Sequence, residues 1–247
     1  KTHTTTASQK SHLTKASNKQ VSSKQEYSRN SAKSSSLPDL RKYPSGTPRK
    51  KAFLRTVMPY ITSQNAAITA ERNWLISKQY QGQWSPAERA RLKDIAKRYK
   101  VKWSGNTRKI PWNTLLERVD IIPTSMVATM AAAESGWGTS KLARNNNNLF
   151  GMKCMKGRCT NAPGKVKGYS QFSSVKESVS AYVTNLNTHP AYSSFRKSRA
   201  QLRKADQEVT ATAMIHKLKG YSTKGKSYNN YLFAMYQDNQ RLIAAHM

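Results

Sequence analysis

The stretch that most constrains this chain runs from Ile122 to Gly138. Pro123, with Thr124 and Ser125 behind it, reads as a helix start, because proline suits the first turn and hydroxyl side chains can cap it. Val127, Met130, Ala131 and Glu134 fall at i, i+3, i+4 and i+7 and share one face. That face is apolar except for Glu134, and Gly136 is the expected stop. One carboxylate is therefore expected on the inward side of the last turn of a core helix. Burial disfavours its charged form, and the negative end of the helix dipole acts the same way. A carboxyl that keeps its proton toward neutral pH can serve as a general acid. The bland alternative is a solvated Glu at a frayed helix end, since carboxylates are seldom buried without partners. The three alanines before Glu134 and the Gly136-Trp137-Gly138 turn after it favour the buried reading.

Composition divides the chain. Residues 1–48 are rich in Ser, Thr, Lys, Gln and Asn, with few aliphatics beyond Leu13, Val21, Leu37 and Leu40. Such a segment cannot bury enough apolar surface to offset its ordering, so it is expected to be a disordered basic tether, either a leash onto anionic surfaces or a plain spacer. It accounts for the low mean hydropathy of −0.77 in a chain of 247 residues. Residues 49–120 read as an N-terminal helical layer, and 121–247 as the core that carries Glu134.

Within the layer, Ala52 to about Tyr80 is mostly helical, with a kink or break expected at Pro59. Ser85-Pro86-Ala87-Glu88 has the pattern of a capping box, and Asn113 is expected to cap a further helix. Trp84, Trp103 and Trp112 read as packing wedges. Past Glu134 lies a short helix around Ser140–Arg144, then Asn145-Asn146-Asn147-Asn148. Leu149–Cys154 and Gly168–Phe172 read as two strands of a small β-lobe. Ser174 and Glu177 form another cap signal, Asp206 is expected to cap a helix, and Ser227 opens the last one.

The net charge of +31 points to an anionic partner. Nucleic acid is the first thought, yet the basic residues are spread along the chain and no nucleic-acid-binding signature is present, so no specific nucleic acid is expected. No run of 18 apolar residues occurs, so no transmembrane helix is expected. Cys154 and Cys159 are the only cysteines. They form either a reduced pair or a short-loop disulfide, and no cluster offers a set of zinc ligands.

Glu134-Ser135-Gly136-Trp137-Gly138, together with Asn148-Leu149-Phe150-Gly151-Met152-Lys153, resembles the two-part signature of the bacterial glucosaminidases, glycoside hydrolase family seventy-three. The resemblance extends from Ile121 to the C-terminus and takes in Phe172, His189-Pro190-Ala191-Tyr192 and Gly220-Tyr221-Ser222-Thr223. It implies an α+β, mostly helical, lysozyme-like fold with a small β-lobe beside the catalytic helix. It implies an endo-β-N-acetylglucosaminidase that cuts the glycan strands of peptidoglycan, with Glu134 as its general acid. Trp137, Asn148, Phe150 and Tyr169 become the expected glycan contacts. The implied substrate lies outside the cytoplasm, which favours the Cys154–Cys159 disulfide and a periplasmic or otherwise extracytoplasmic location. The chain begins at Lys1, and the expectation is a processed product whose signal peptide is gone. No metal or other cofactor is called for. The basic tether would add anionic membrane or wall polymers as partners.

Glycosidases usually pair two carboxylates, but no Asp or Glu occurs from Ser135 to Lys176. Glu177 is the nearest candidate, and capping already explains it. The alternative is that the substrate's own 2-acetamido carbonyl attacks the anomeric carbon, with Tyr221 expected to orient that group. A lytic transglycosylase and an inactive wall-binding module are the rival readings.

Overall fold

The computed structural model describes residues 36–157, 159, 161–218 and 225–247. At its centre lies a helix that is apolar almost all round, as a helix surrounded by neighbours must be. This is α4 (Thr124–Ser135), in which Met126, Val127, Ala128, Thr129, Met130, Ala131, Ala132 and Ser135 are all buried. In chain order, α1 is Thr47–Lys78, α2 Pro86–Arg98, α3 Trp112–Arg118, α5 Lys141–Asn146, α6 Val175–Thr188, α7 Ser193–Lys204, α8 Ala211–Met214 and α9 Lys226–Ala244.

α4 packs between α1 and α9. It runs antiparallel to α1. Near the start of α4, Asn65 Nδ2 donates to the Ile122 carbonyl (2.7 Å) and to Thr124 Oγ1 (3.1 Å). At the other end, Phe53 lies edge-on to Trp137 with ring centroids 5.5 Å apart. α1 is continuous through Pro59. Proline removes one backbone bond there, but Val57, Met58 and Ile61 are buried around it, and their packing outweighs the loss. α6 packs on α1, and its buried Tyr182 hydroxyl donates to Met130 Sδ at 2.7 Å.

The capping box of α2 forms as expected. Ser85 Oγ accepts from the Glu88 N–H at 3.2 Å, and Glu88 Oε2 accepts from the Ser85 N–H at 2.9 Å. Two expected caps are displaced. α3 begins behind Pro111 rather than at Asn113. Thr210, not Asp206, caps α8, while Asp206 takes a left-handed conformation (φ 52°) just past α7.

A polar cluster fixes the entrance to α4. Asp120, 1% exposed, accepts from Arg203 Nη2 (2.7 Å) and Nε (3.0 Å). Arg72 lies 3.5 Å and Arg199 3.9 Å from the same carboxylate. Arg199 is fully buried and donates to the carbonyls of Glu117 (2.8 Å) and Ile121 (2.9 Å) and to Asn187 Oδ1 (2.8 Å). α1, α6 and α7 are thereby tied to the segment 117–122 that feeds α4.

Of the segment read as a tether, residues 1–35 lie outside the described residues. Its described end packs on the fold. Asp39 caps a short turn at Leu40–Lys42, Leu40 is fully buried, and Arg49 Nη2 donates to the Tyr43 carbonyl at 2.9 Å.

The expected β-lobe is not formed as strands among the described residues. Between Leu149–Cys154 and Gly168–Phe172 there is a single antiparallel bridge, Lys153 with Tyr169. The reason is local. Gly151 (φ 64°) and Gly168 (φ 81°) turn the backbone out of the extended region on either side of the bridge. Side chains also take ladder positions, since Ser170 Oγ accepts from the Met155 N–H at 3.0 Å.

Candidate active site

The turn after α4 explains each residue of Glu134-Ser135-Gly136-Trp137-Gly138. Ser135 is buried and turned back on the helix, donating to the Ala131 carbonyl and accepting from the Gly138 N–H at 2.8 Å. Gly136 closes the helix in the left-handed region (φ 55°), and the Trp137 N–H returns to the Ala132 carbonyl at 2.9 Å. Trp137 is itself left-handed (φ 55°). Gly138 (φ 78°) packs so closely that a methyl group there would lie 2.6 Å from Leu40 Cδ1 and 3.2 Å from Phe53 Cδ2. This tight turn holds the end of α4, and Glu134 with it.

The Glu134 carboxyl is half-buried where three segments converge. From the first turn of α9, the Tyr228 hydroxyl donates to Oε1. From the loop after α5, Gly151 faces Oε2, and a methyl group on it would stand 3.1 Å from that oxygen. Glycine is required there twice over, for the space and for its φ of 64°. Burial pushes the Glu134 carboxyl above the usual carboxylate range. Among the described residues, the phenol and the glycine set against its oxygens bring no carboxylate.

The four consecutive asparagines hold the loop that delivers Gly151. Asn145 Nδ2 donates to the Gly164 carbonyl (2.6 Å), Asn146 Nδ2 to Val166 (3.1 Å) and Asn147 Nδ2 to Phe172 (3.1 Å). Asn148 Nδ2 donates to the carbonyls of Met152 (2.8 Å) and Ser170 (3.0 Å), and its Oδ1 accepts from the Met152 N–H (3.0 Å). Asn148 is thus 1% exposed, with both ends of its amide engaged by backbone.

Phe150 is likewise interior, 2% exposed and stacked on Tyr182 with centroids 4.0 Å apart. Trp137 is half-buried, with Lys50 Nζ 5.0 Å from its ring centroid. Tyr169 is half-buried, with Lys153 Nζ 4.4 Å from its ring centroid and 3.2 Å from its hydroxyl. Cys154 and Cys159 form the disulfide. Tyr221 lies outside the described residues. Glu177 has its Oε2 taken by the Ser173 N–H (2.6 Å) and Oγ (2.7 Å), while Ser174 Oγ accepts from the Glu177 N–H (3.1 Å), so it caps α6.

Tyr228 was not singled out by sequence reasoning. Its only signal was its place in the opening turn of the last helix, seven residues beyond the Tyr221 that the motif favoured.

A half-buried carboxyl at the end of a core helix, with its pKa raised by burial, has the chemistry that a general acid needs. Residues 111–241 match the Glucosaminidase family model, described as mannosyl-glycoprotein endo-beta-N-acetylglucosaminidase, and the chain belongs to that family. It is a glycoside hydrolase of the endo-β-N-acetylglucosaminidase type, with a glycan such as peptidoglycan as substrate. The mostly helical fold is consistent with that assignment. No solved structure matches the chain. The disulfide fits an extracytoplasmic setting, and no described helix is long and apolar enough to cross a membrane.

Proposed function

We propose that the protein cleaves the glycan strands of peptidoglycan with Glu134 as its one catalytic carboxyl. The observation that carries this reading is the seat of that carboxyl: half-buried, bonded by Tyr228 on Oε1 and faced by Gly151 on Oε2. With the phenol donating to Oε1, the carboxyl proton belongs on Oε2. In the first step Glu134 gives that proton to the glycosidic oxygen. The 2-acetamido carbonyl oxygen of the N-acetylglucosamine attacks C1 as the C1–O bond breaks, leaving a cyclic oxazolinium. Water then adds at C1, Glu134 takes up its proton, and the acetamido group is restored. One carboxyl suffices for both steps, in keeping with the absence of any Asp or Glu from Ser135 to Lys176.

Tyr221 remains our candidate for orienting the acetamido group. Trp137 and Tyr169, both half-buried aromatics, are our candidates for contact with sugar faces. In the same reading, 121–247 is the catalytic core, 49–120 its supporting layer and 1–35 a basic tether toward anionic wall or membrane polymers outside the cytoplasm.

The test is mass spectrometry of products from purified sacculi. Fragments ending in reducing N-acetylglucosamine support the proposal. An internal anhydro sugar would make the protein a lytic transglycosylase, and unchanged sacculi with retained binding would make it a wall-binding module.

A further inference from the structure

The loop that reaches Glu134 carries an unusual charge. From Asn147 to Ser174, between α5 and α6, there are five basic residues and no acidic one. Gly151 sets this loop against Oε2 of Glu134. Lys153 follows two residues on, and its side chain is exposed. The ammonium has an aromatic partner in the same loop. It lies 4.4 Å from the centroid of the Tyr169 ring and 3.2 Å from the Tyr169 hydroxyl, across the one backbone bridge between Lys153 and Tyr169. An ammonium carries three donors, and the phenol oxygen takes one of them. Lys156 and Lys167, also exposed, add to the positive field of the same loop.

A cation beside an aromatic ring, two residues along the chain from the glycine that faces Glu134, suits a sugar unit that carries a carboxylate. The ring offers a face to the sugar and the ammonium a charge-assisted hydrogen bond to the acid. A neutral N-acetylglucosamine polymer would draw nothing from the ammonium. We propose that Lys153, held by Tyr169, is a specificity-determining residue that selects glycan strands bearing carboxylates over neutral ones. This rests on the reading that Glu134 marks the cleavage point.

The rival explanation is bulk attraction by the net charge of +31. It is separated by a charge-matched control, Lys197→Met, at an exposed lysine on α7. Hydrolysis and sedimentation binding are measured on native sacculi, on sacculi whose carboxyls have been converted to amides, and on glycan stripped of its peptides. The wild type is expected to lose about tenfold in kcat/KM on the amidated material, the scale of one charge-assisted hydrogen bond. Lys153→Met should show about the same loss on native sacculi, through KM rather than kcat, and no longer distinguish native from amidated material. Lys153→Arg should retain selectivity, and Lys197→Met should behave as wild type. Preference kept on stripped glycan assigns the recognised acid to the sugar itself, and preference lost there assigns it to the peptide stem.

A wild type that does not discriminate, or a Lys153→Met variant indistinguishable from Lys197→Met, overturns the proposal. Because the readout is a ratio between substrates in an active enzyme, with binding measured separately, it is independent of whether Glu134 proves to be the acid.

Discussion

The Tyr228 hydroxyl and the Glu134 carboxyl meet through a hydrogen bond on Oε1, which joins the first turn of α9 to the last turn of α4. A donor to the ionised form lowers a carboxyl pKa, whereas burial pushes this one up. Tyr228→Phe should therefore raise the Glu134 pKa further and move the alkaline limb of the kcat/KM profile to higher pH. The loss of stability should be about 1 kcal/mol or less. A melting change with the pH profile left in place would give Tyr228 a purely structural part.

Glu134→Gln should abolish hydrolysis, a loss of about 10²–10⁴-fold for the acid function alone. Its stability should move the other way. Since burial raises the folded-state pKa, Glu134 contributes stability below its unfolded pKa and loses that contribution as pH rises through the folded value. At neutral pH the neutral amide should thus melt at the wild-type temperature or above it. Thermal scans beside a sacculus-clearing assay check both halves.

Gly151→Ala places a methyl group 3.1 Å from Oε2 at a φ of 64°. The left-handed backbone costs about 1–2 kcal/mol. The displaced carboxyl should lower turnover by about 100-fold, as misplacements of catalytic groups do. Activity falling only in proportion to stability would show that the contact with Oε2 is immaterial.

Glu177→Ala removes the bond to Ser173 at the head of α6 and should cost about 1 kcal/mol. Most of the activity should remain. A loss of several orders of magnitude with normal melting would bring back a mechanism with two carboxylates.

Asp120 should dominate acid stability. Burial pushes its carboxyl up, but the bond from Arg203 and the charges of Arg199 and Arg72 outweigh this and hold it below the usual range. Its stabilisation is present above the unfolded pKa, about 3.9, and is lost as pH falls through the lower folded value. Asp120→Asn should destabilise by about 3–5 kcal/mol at neutral pH, because it strands buried guanidinium groups. It should also flatten the acid limb of the melting curve.

How much of this could be read from residues depended on the kind of signal. α4 was legible because apolar spacing and a terminal glycine marked it, and so was the placement of Glu134. α2 was legible from its capping box. α7 was not, since its buried face includes Arg196 and Arg199, and arginine does not mark an inward face in any hydropathy pattern. Their burial depends on carbonyls and on Asp120 arriving from elsewhere in the chain. Tyr228 was hidden for a related reason, as its partner lies 94 residues away. Asn148 and Phe150 stood in a legible motif, but their partners within the fold were not legible. Nothing in their spacing says that the amide closes on Met152 and Ser170, or that the ring lies on Tyr182.

The asparagine run works as a ruler. Each amide from Asn145 to Asn148 clips onto a carbonyl between Gly164 and Phe172, and Gly151 sits three positions past the last clip. Inserting or deleting one residue within the run would slide every amide off its mark and rotate the glycine away from the acid. Single-residue length changes there should therefore be harsher than most substitutions at the same positions, so that this segment is calibrated by count as well as by chemistry.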